Sequence, residues 1–127
     1  SHHMDPAAKL LEYYSHAIST KDPRINLLSN VDGKTITSGV RFLRRLVRQV
    51  NSPVRWDLCM ESMQRMGVTG MLELLPGGTL TGLAKRAMPG VATFAIKTPD
   101  DIPKALEFVA EHGEPRTVSP AETGDDV

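Results

Sequence analysis

An α/β fold, with few short strands and flanking helices, is what this sequence predicts. Two observations carry that expectation. Short apolar runs of strand length alternate with segments whose apolar residues recur at helical spacing. Proline-bearing start signals and glycine stops punctuate them, among them Asp5-Pro6, Ser52-Pro53, Thr98-Pro99, Gly67 and Gly113. Strands alternating with helices imply layered α/β architecture, because a helix stripe and a sheet face bury one another.

Taken in order, residues 5–19 read as a helix with Leu10, Leu11, Tyr14, Ala17 and Ile18 at helical spacing. Lys21-Asp22-Pro23 breaks it. Residues 25–29 form a short apolar run of strand character. A turn at Asn30-Val31-Asp32-Gly33 leads into an extended Thr35-Ile36. A second helix spans 39–50, with Val40, Leu43, Val47 and Val50 on one face and Leu46 beside them. A third starts at Ser52-Pro53, buries Val54, Leu58, Ser62 or Met63, and Met66, and ends at Gly67. Residues 71–75 are a strand closed by Pro76-Gly77-Gly78, and Thr79 opens a short helix stopped by Pro89-Gly90. Residues 91–96 are a further strand. Thr98-Pro99-Asp100-Asp101 combines a cap, a first-turn proline and two acids at the positive end of a helix dipole. In the helix that follows, Ile102, Ala105, Leu106 and Val109 are expected to face inward. Residues 114–127 are poor in apolar residues and read as a disordered tail, leaving 1–113 as the folded segment. About three short strands make a thin sheet for so many helices, which implies partner strands elsewhere.

Composition removes several classes of function. Lys plus Arg and Asp plus Glu number 15 each, so the net charge is zero and no bulk field favours nucleic acid or an anionic membrane. No apolar stretch approaches the ~20 residues of a membrane span. The single cysteine, Cys59, excludes an internal disulfide framework and fits a reducing compartment. No charged start precedes an apolar core, as a secretory signal would require. These features point to a soluble cytoplasmic chain.

Three segments carry a resemblance. Gln49-Val50-Asn51-Ser52-Pro53-Val54-Arg55-Trp56 is similar to a stretch of the malonyl-CoA–acyl-carrier-protein transacylase family that runs from Gln through Asn-Pro-Val to Trp. Leu72-Glu73-Leu74, then Pro76-Gly77-Gly78-Thr79-Leu80-Thr81-Gly82-Leu83-Ala84-Lys85-Arg86, resembles that family's strand, Gly-rich loop and helix. Leu27-Leu28-Ser29-Asn30 with Asp32-Gly33 resembles its upstream strand and turn. The segments stand in the family's order over residues 1–113, and 53–59 looks like the actinobacterial form.

The resemblance implies an α/β hydrolase-like three-layer body, of which this chain would be a C-terminal segment. The implied activity moves malonyl from coenzyme A to the phosphopantetheine thiol of acyl carrier protein in fatty-acid synthesis, with malonyl-CoA as substrate and no cofactor. In the family a Ser on a Gly-x-Ser-x-Gly elbow takes the acyl group, a His is its base, and an Arg holds the malonyl carboxylate. No Gly-x-Ser-x-Gly occurs here, so the elbow Ser and the Arg would belong to a missing N-terminal part of the same enzyme. Ser1 and Met4 fit the second and fifth positions of the family's His-Ser/Thr-x-x-Met pattern, which puts the base just before Ser1. Ser1-His2-His3-Met4 also reads as an expression-tag scar. On the first reading neither His2 nor His3 is the base, and the chain alone is inactive. An acyltransferase segment of a polyketide synthase and a non-catalytic carrier-protein-binding module are the alternatives.

Each candidate residue has a functional and a plain reading. By resemblance, the Gln49 backbone carbonyl accepts from the catalytic imidazole and fixes its orientation, as an Asp does in a hydrolase triad; plainly, Gln49 closes a helix end. Lys85 and Arg86 resemble a docking point for the acidic helix of acyl carrier protein; cations at a helix C-terminus also suit the dipole. Arg41, Arg44, Arg45 and Arg48 form a stripe expected to be a solvated face, with a contact to carrier protein or to coenzyme A phosphates as the alternative. Pro76-Gly77-Gly78-Thr79 could cradle an anion at a helix start but lacks a phosphate-loop ending, so a turn packing beneath the site is the better reading. Glu73 has no second carboxylate placed near it. His2, His3, His16, His112 and Cys59 make no metal pattern. Cys59 reads as a small core residue, and Met60, Met63, Met66 and Met71 as core.

Overall fold

The computed structural model describes residues 2–113; the tail expected at 114–127 lies outside them. The described residues divide into two compact units, one up to Ser62 and one from Met63.

In the first unit a 3₁₀ turn, His2–Met4, leads into α1, Asp5–Ser15. The helix is shorter than its apolar spacing suggests. Met4 rather than Asp5 occupies the cap position, and the Ser15 hydroxyl turns back to donate to the Glu12 carbonyl (2.6 Å) where the helix ends. Asp5 instead accepts from the Asn51 side-chain amide at 3.0 Å. The strands β1, Leu27–Leu28, and β2, Thr35–Ile36, pair antiparallel, with Leu27 opposite Ile36 and Leu28 opposite Thr35. The turn between them is closed by Ser29 N donating to Lys34 O (3.0 Å) and Gly33 N donating to Ser29 O (2.8 Å). Next comes α2, Gly39–Gln49, whose Ser38 cap accepts from the Arg41 N–H at 3.3 Å.

The third helix, α3 (Trp56–Arg65), starts later than Ser52-Pro53 predicts. Ser52 does not cap it; the Ser52 hydroxyl donates to Arg48 O at 2.6 Å and closes the end of α2. The α3 hydrogen bonds begin at the Arg55 carbonyl, which accepts from Leu58 N and Cys59 N. Arg55 N itself donates to Asn30 O at 2.8 Å, tying the helix entry to the hairpin turn. The helix ends before Gly67, which takes φ 73°, the left-handed conformation expected of a glycine stop.

The second unit contains a βαβ arrangement. Strand β3, Gly70–Glu73, pairs parallel with β4, Ala92–Ala95, and α4, Thr79–Ala87, makes the crossover. A 3₁₀ turn at Pro99–Asp101 precedes α5, Ile102–His112. Asp101 holds that start as expected, its Oδ2 accepting from Lys97 N (2.9 Å) and Thr98 N (3.1 Å). Helix α5 packs on β3, and Phe108 meets the Phe94 ring of β4 and the His112 ring.

The mixed α/β fold with few short strands and flanking helices is the one the sequence predicts, with two short pairs in place of about three strands. Burial departs further from expectation. Of the four α5 residues expected inside, Ala105 alone is buried, while Ile102, Leu106 and Val109 are exposed. Val40, Leu46, Leu10 and Tyr14 on other helices are exposed too, as is Val54 in the connection before α3. The helical spacing is real, but these faces have no covering layer among the described residues. Met60 and Met71 are buried as expected, Met63 and Met66 are partly so, and Met88 is fully buried. Among the described residues no helix is long and apolar enough to cross a membrane.

Candidate functional site

Gln49 ends α2 and is half-buried. Its side-chain amide donates to the carbonyls of Ser52 (3.3 Å) and Pro53 (3.2 Å), and its backbone carbonyl accepts from Ser52 N at 3.1 Å. The plain role is therefore realised: Gln49 stitches the turn after α2. That stitching also holds the peptide rigidly, and a carbonyl accepting one hydrogen bond keeps a second lone pair. The Gln49 Oε1 atom is buried and has no hydrogen-bond partner among the described residues. Gln49 also lines, with Asn30 and Arg45, a small cavity of about 60 Å³.

Arg45 overturns the solvated-stripe reading at its own position. It is 1% exposed, and its Nη1 donates to Asp32 Oδ2 at 2.7 Å. Arg44 and Arg48 are exposed, and Arg41 is partly covered. Helical spacing groups the four arginines, but α2 turns one of them toward the hairpin, where the Asp32 carboxylate compensates its charge. Burial pushes the Asp32 carboxyl up; the Arg45 hydrogen bond, the Lys34 N–H and the two nearby cations more than reverse this and leave it below its ordinary value.

The Gly-rich loop proves to be filled from within. Glu73 occupies a buried slot of β3, and its carboxylate accepts from Gly78 N (2.8 Å), Leu80 N (2.9 Å) and Thr81 N (2.9 Å) at the start of α4. A helix N-terminus offers unpaired donors and the positive end of a dipole, and here the chain supplies its own anion. No external anion is needed at Pro76-Gly77-Gly78-Thr79, because Glu73 takes the N–H groups that would cradle one. The signal that reveals this is a lone Glu in an apolar strand, four residues before Gly77-Gly78-Thr79 at a helix start. Burial raises the Glu73 carboxyl, but the Thr81, Leu80 and Gly78 N–H groups, with the Thr81 hydroxyl, outweigh it and hold it at about 2.

A pH prediction follows from that value. Glu73 binds its proton less readily folded than unfolded, so its stabilising contribution is complete above the ordinary 4.5 and fades as pH falls toward about 2. Glu73→Gln should be less stable than the wild type at neutral pH, and the gap should start to narrow below the ordinary 4.5 and close only as pH falls to about 2. Urea midpoints measured across that range by circular dichroism check it; a gap that stays constant with pH would refute it.

Lys85 and Arg86 are exposed in the last turn of α4. Cys59 is 1% exposed, with Sγ 3.5 Å from Ser29 O and 3.4 Å from Asn30 Oδ1, and burial pushes its thiol up. That is a core residue rather than a nucleophile. Among the described residues no group of three His, Cys, Asp or Glu side chains could hold a metal ion.

Comparison with known proteins gives a consistent set. No family model matches the chain. The malonyl CoA-acyl carrier protein transacylase of Mycobacterium tuberculosis is 47% identical over 85 residues, covering 67% of this chain and 28% of that protein. The one from Mycolicibacterium smegmatis is 38% identical over 106 residues (80% and 37%), and the one from Escherichia coli K12 is 36% identical over 105 (83% and 34%). The chain thus spans about a third of the length of the curated relatives it matches. Among solved structures, that of MCAT from Mycobacterium tuberculosis superposes with a TM-score of 0.73 at 42% identity, covering 78% of this chain and 33% of that one. A type II PKS acyl-carrier protein in complex with its malonyl-transacylase matches with a TM-score of 0.75 at 36% identity (82% and 34%).

Proposed function

Since homology ties this chain to the malonyl CoA-acyl carrier protein transacylase family, we propose that it is the C-terminal part of an enzyme moving malonyl from coenzyme A to the thiol of acyl carrier protein. The observation that carries this reading is the joint match in sequence and fold to the Mycobacterium tuberculosis structure, 42% identical with a TM-score of 0.73. The chain's own contribution is positional. Gln49 offers a carbonyl held fast by the Ser52 N–H, suited to orient an imidazole supplied from upstream. Lys85 and Arg86 stand exposed at one end of α4, suited to meet an acidic carrier protein. The elbow Ser, the malonate Arg and the His come from the preceding part of the enzyme, which would also cover the exposed apolar rows of α1 and α5.

Incubated alone with malonyl-CoA, the 127-residue chain should stay unmodified by intact-mass spectrometry, because it carries no elbow nucleophile. Joined to an upstream segment bearing the Gly-x-Ser-x-Gly and the His, it should support malonyl transfer. A stable malonyl adduct on the isolated chain would overturn the assignment of the nucleophile, and an inactive joined protein that folds would overturn the transacylase reading. In that joined protein, Gln49→Ala retains the backbone carbonyl and should retain most activity if the turn is kept. A polyketide carrier protein is the second reading of the partner, favoured by the match to a malonyl-transacylase solved with a type II PKS acyl-carrier protein.

A further inference from the structure

Within the second unit, the side of β4 away from β3 has no strand beside it among the described residues. A groove of about 430 Å³ runs there between α4 and the start of α5. Three ammonium groups line it from three separate elements: Lys85 of α4, Lys97 just after β4, and Lys104 of α5. Lys97 and Lys104 interact through their charge with Asp101, so three cations face a single carboxylate here. One carboxylate, Asp101, also lines the groove, and its Oδ2 is committed to the Lys97 and Thr98 N–H groups. Thr93 and Phe94 of β4 add a hydroxyl and an aromatic ring to the lining.

We infer that this groove is an interaction surface for the acidic face of a carrier protein, with Lys97 and Lys104 forming a second anchor beside Lys85. The inference rests on the carrier-protein reading above and extends its footprint across β4 to α5. A small anion is the weaker occupant for a physical reason. The backbone donors nearest the groove, Gly78 N and Thr81 N, are already taken by Glu73, so no convergent set of N–H groups remains to wrap a phosphate. Three long, flexible, well-hydrated ammonium groups spread over three elements suit a broad field of carboxylates, attracted through solvent and steered over distance.

Fluorescence anisotropy of labelled holo-acyl carrier protein titrated with the 127-residue chain tests this. Binding is expected at low ionic strength and should weaken as salt rises. The pair Lys97→Glu and Lys104→Glu should weaken it by roughly tenfold or more. Lys97→Gln with Lys104→Gln should have a smaller effect in the same direction, and Lys9→Glu, on the exposed side of α1, should leave it unchanged. If the Lys97/Lys104 variants bind like the wild type while Lys85→Glu with Arg86→Glu abolishes binding, the groove is overturned and the α4 docking point survives. If nothing binds even at low salt, both fall. If inorganic phosphate at constant ionic strength displaces the carrier protein, the groove is a small-anion site and this inference is wrong.

Discussion

Gly33→Ala should cost about 2–5 kcal/mol, a large share of the stability of a domain this size. Gly33 takes φ 71°, where a β-carbon is itself penalised. A methyl there would also meet the α3 backbone, lying 2.5 Å from Leu58 O and 2.7 Å from Cys59 N, with the Leu58 carbonyl carbon closer still. Those are main-chain atoms of a helix and cannot swing away as a side chain would. The same glycine accepts the Ser62 hydroxyl on its carbonyl at 2.5 Å, so displacing it also breaks a buried hydrogen bond. Gly82 gives the contrast. A methyl at that α4 position meets nothing within 4 Å and no positive φ is involved, so Gly82→Ala should stabilise by about 0.5–1 kcal/mol. Urea unfolding of the two variants against the wild type checks both signs; equal effects would sink the steric account.

Arg45→Met should lose about 3 kcal/mol at neutral pH, because it leaves the Asp32 carboxylate without its guanidinium partner. The double change Arg45→Met with Asp32→Asn should recover part of that loss, since removing both charges avoids the uncompensated one. The contrast distinguishes a buried ion pair from simple packing, where the second substitution would add to the damage. Acid provides an independent readout. Asp32 has a lowered pKa in the folded chain, so the pair stabilises above the ordinary carboxylate range and loses its contribution as pH falls through the folded value. The deficit of Arg45→Met should therefore shrink in acid.

Elements were legible where local chemistry decides them. The Thr98-Pro99-Asp100-Asp101 start, the Gly67 stop and the Thr79 opening of α4 all stand where the residues place them. The boundary at Ser52-Pro53 was not legible, because a serine hydroxyl serves the end of one helix as readily as the start of the next, and here Arg48 O takes it. The α/β class followed from the alternation of short apolar runs and helical stripes, and it holds without knowledge of any contact.

What the sequence by itself determined is the set of local signals: caps, stops, the apolar periodicities, the absent nucleophile elbow, and the ordered segments that resemble a transacylase. Only the tertiary structure decided which member of each set is used. Periodicity puts Arg41, Arg44, Arg45 and Arg48 together, but burial of Arg45 alone depends on Asp32 approaching from the hairpin, thirteen residues earlier in the chain. It marks Ile102, Leu106 and Val109 as an apolar row, but whether that row is covered depends on a layer the described residues do not supply. It leaves Glu73 as a lone acid in an apolar strand, and the fold gives it three N–H donors from the helix that follows. In each case the spacing fixes a direction around a helix or across a strand, while the energy depends on what another segment brings within hydrogen-bonding or packing distance.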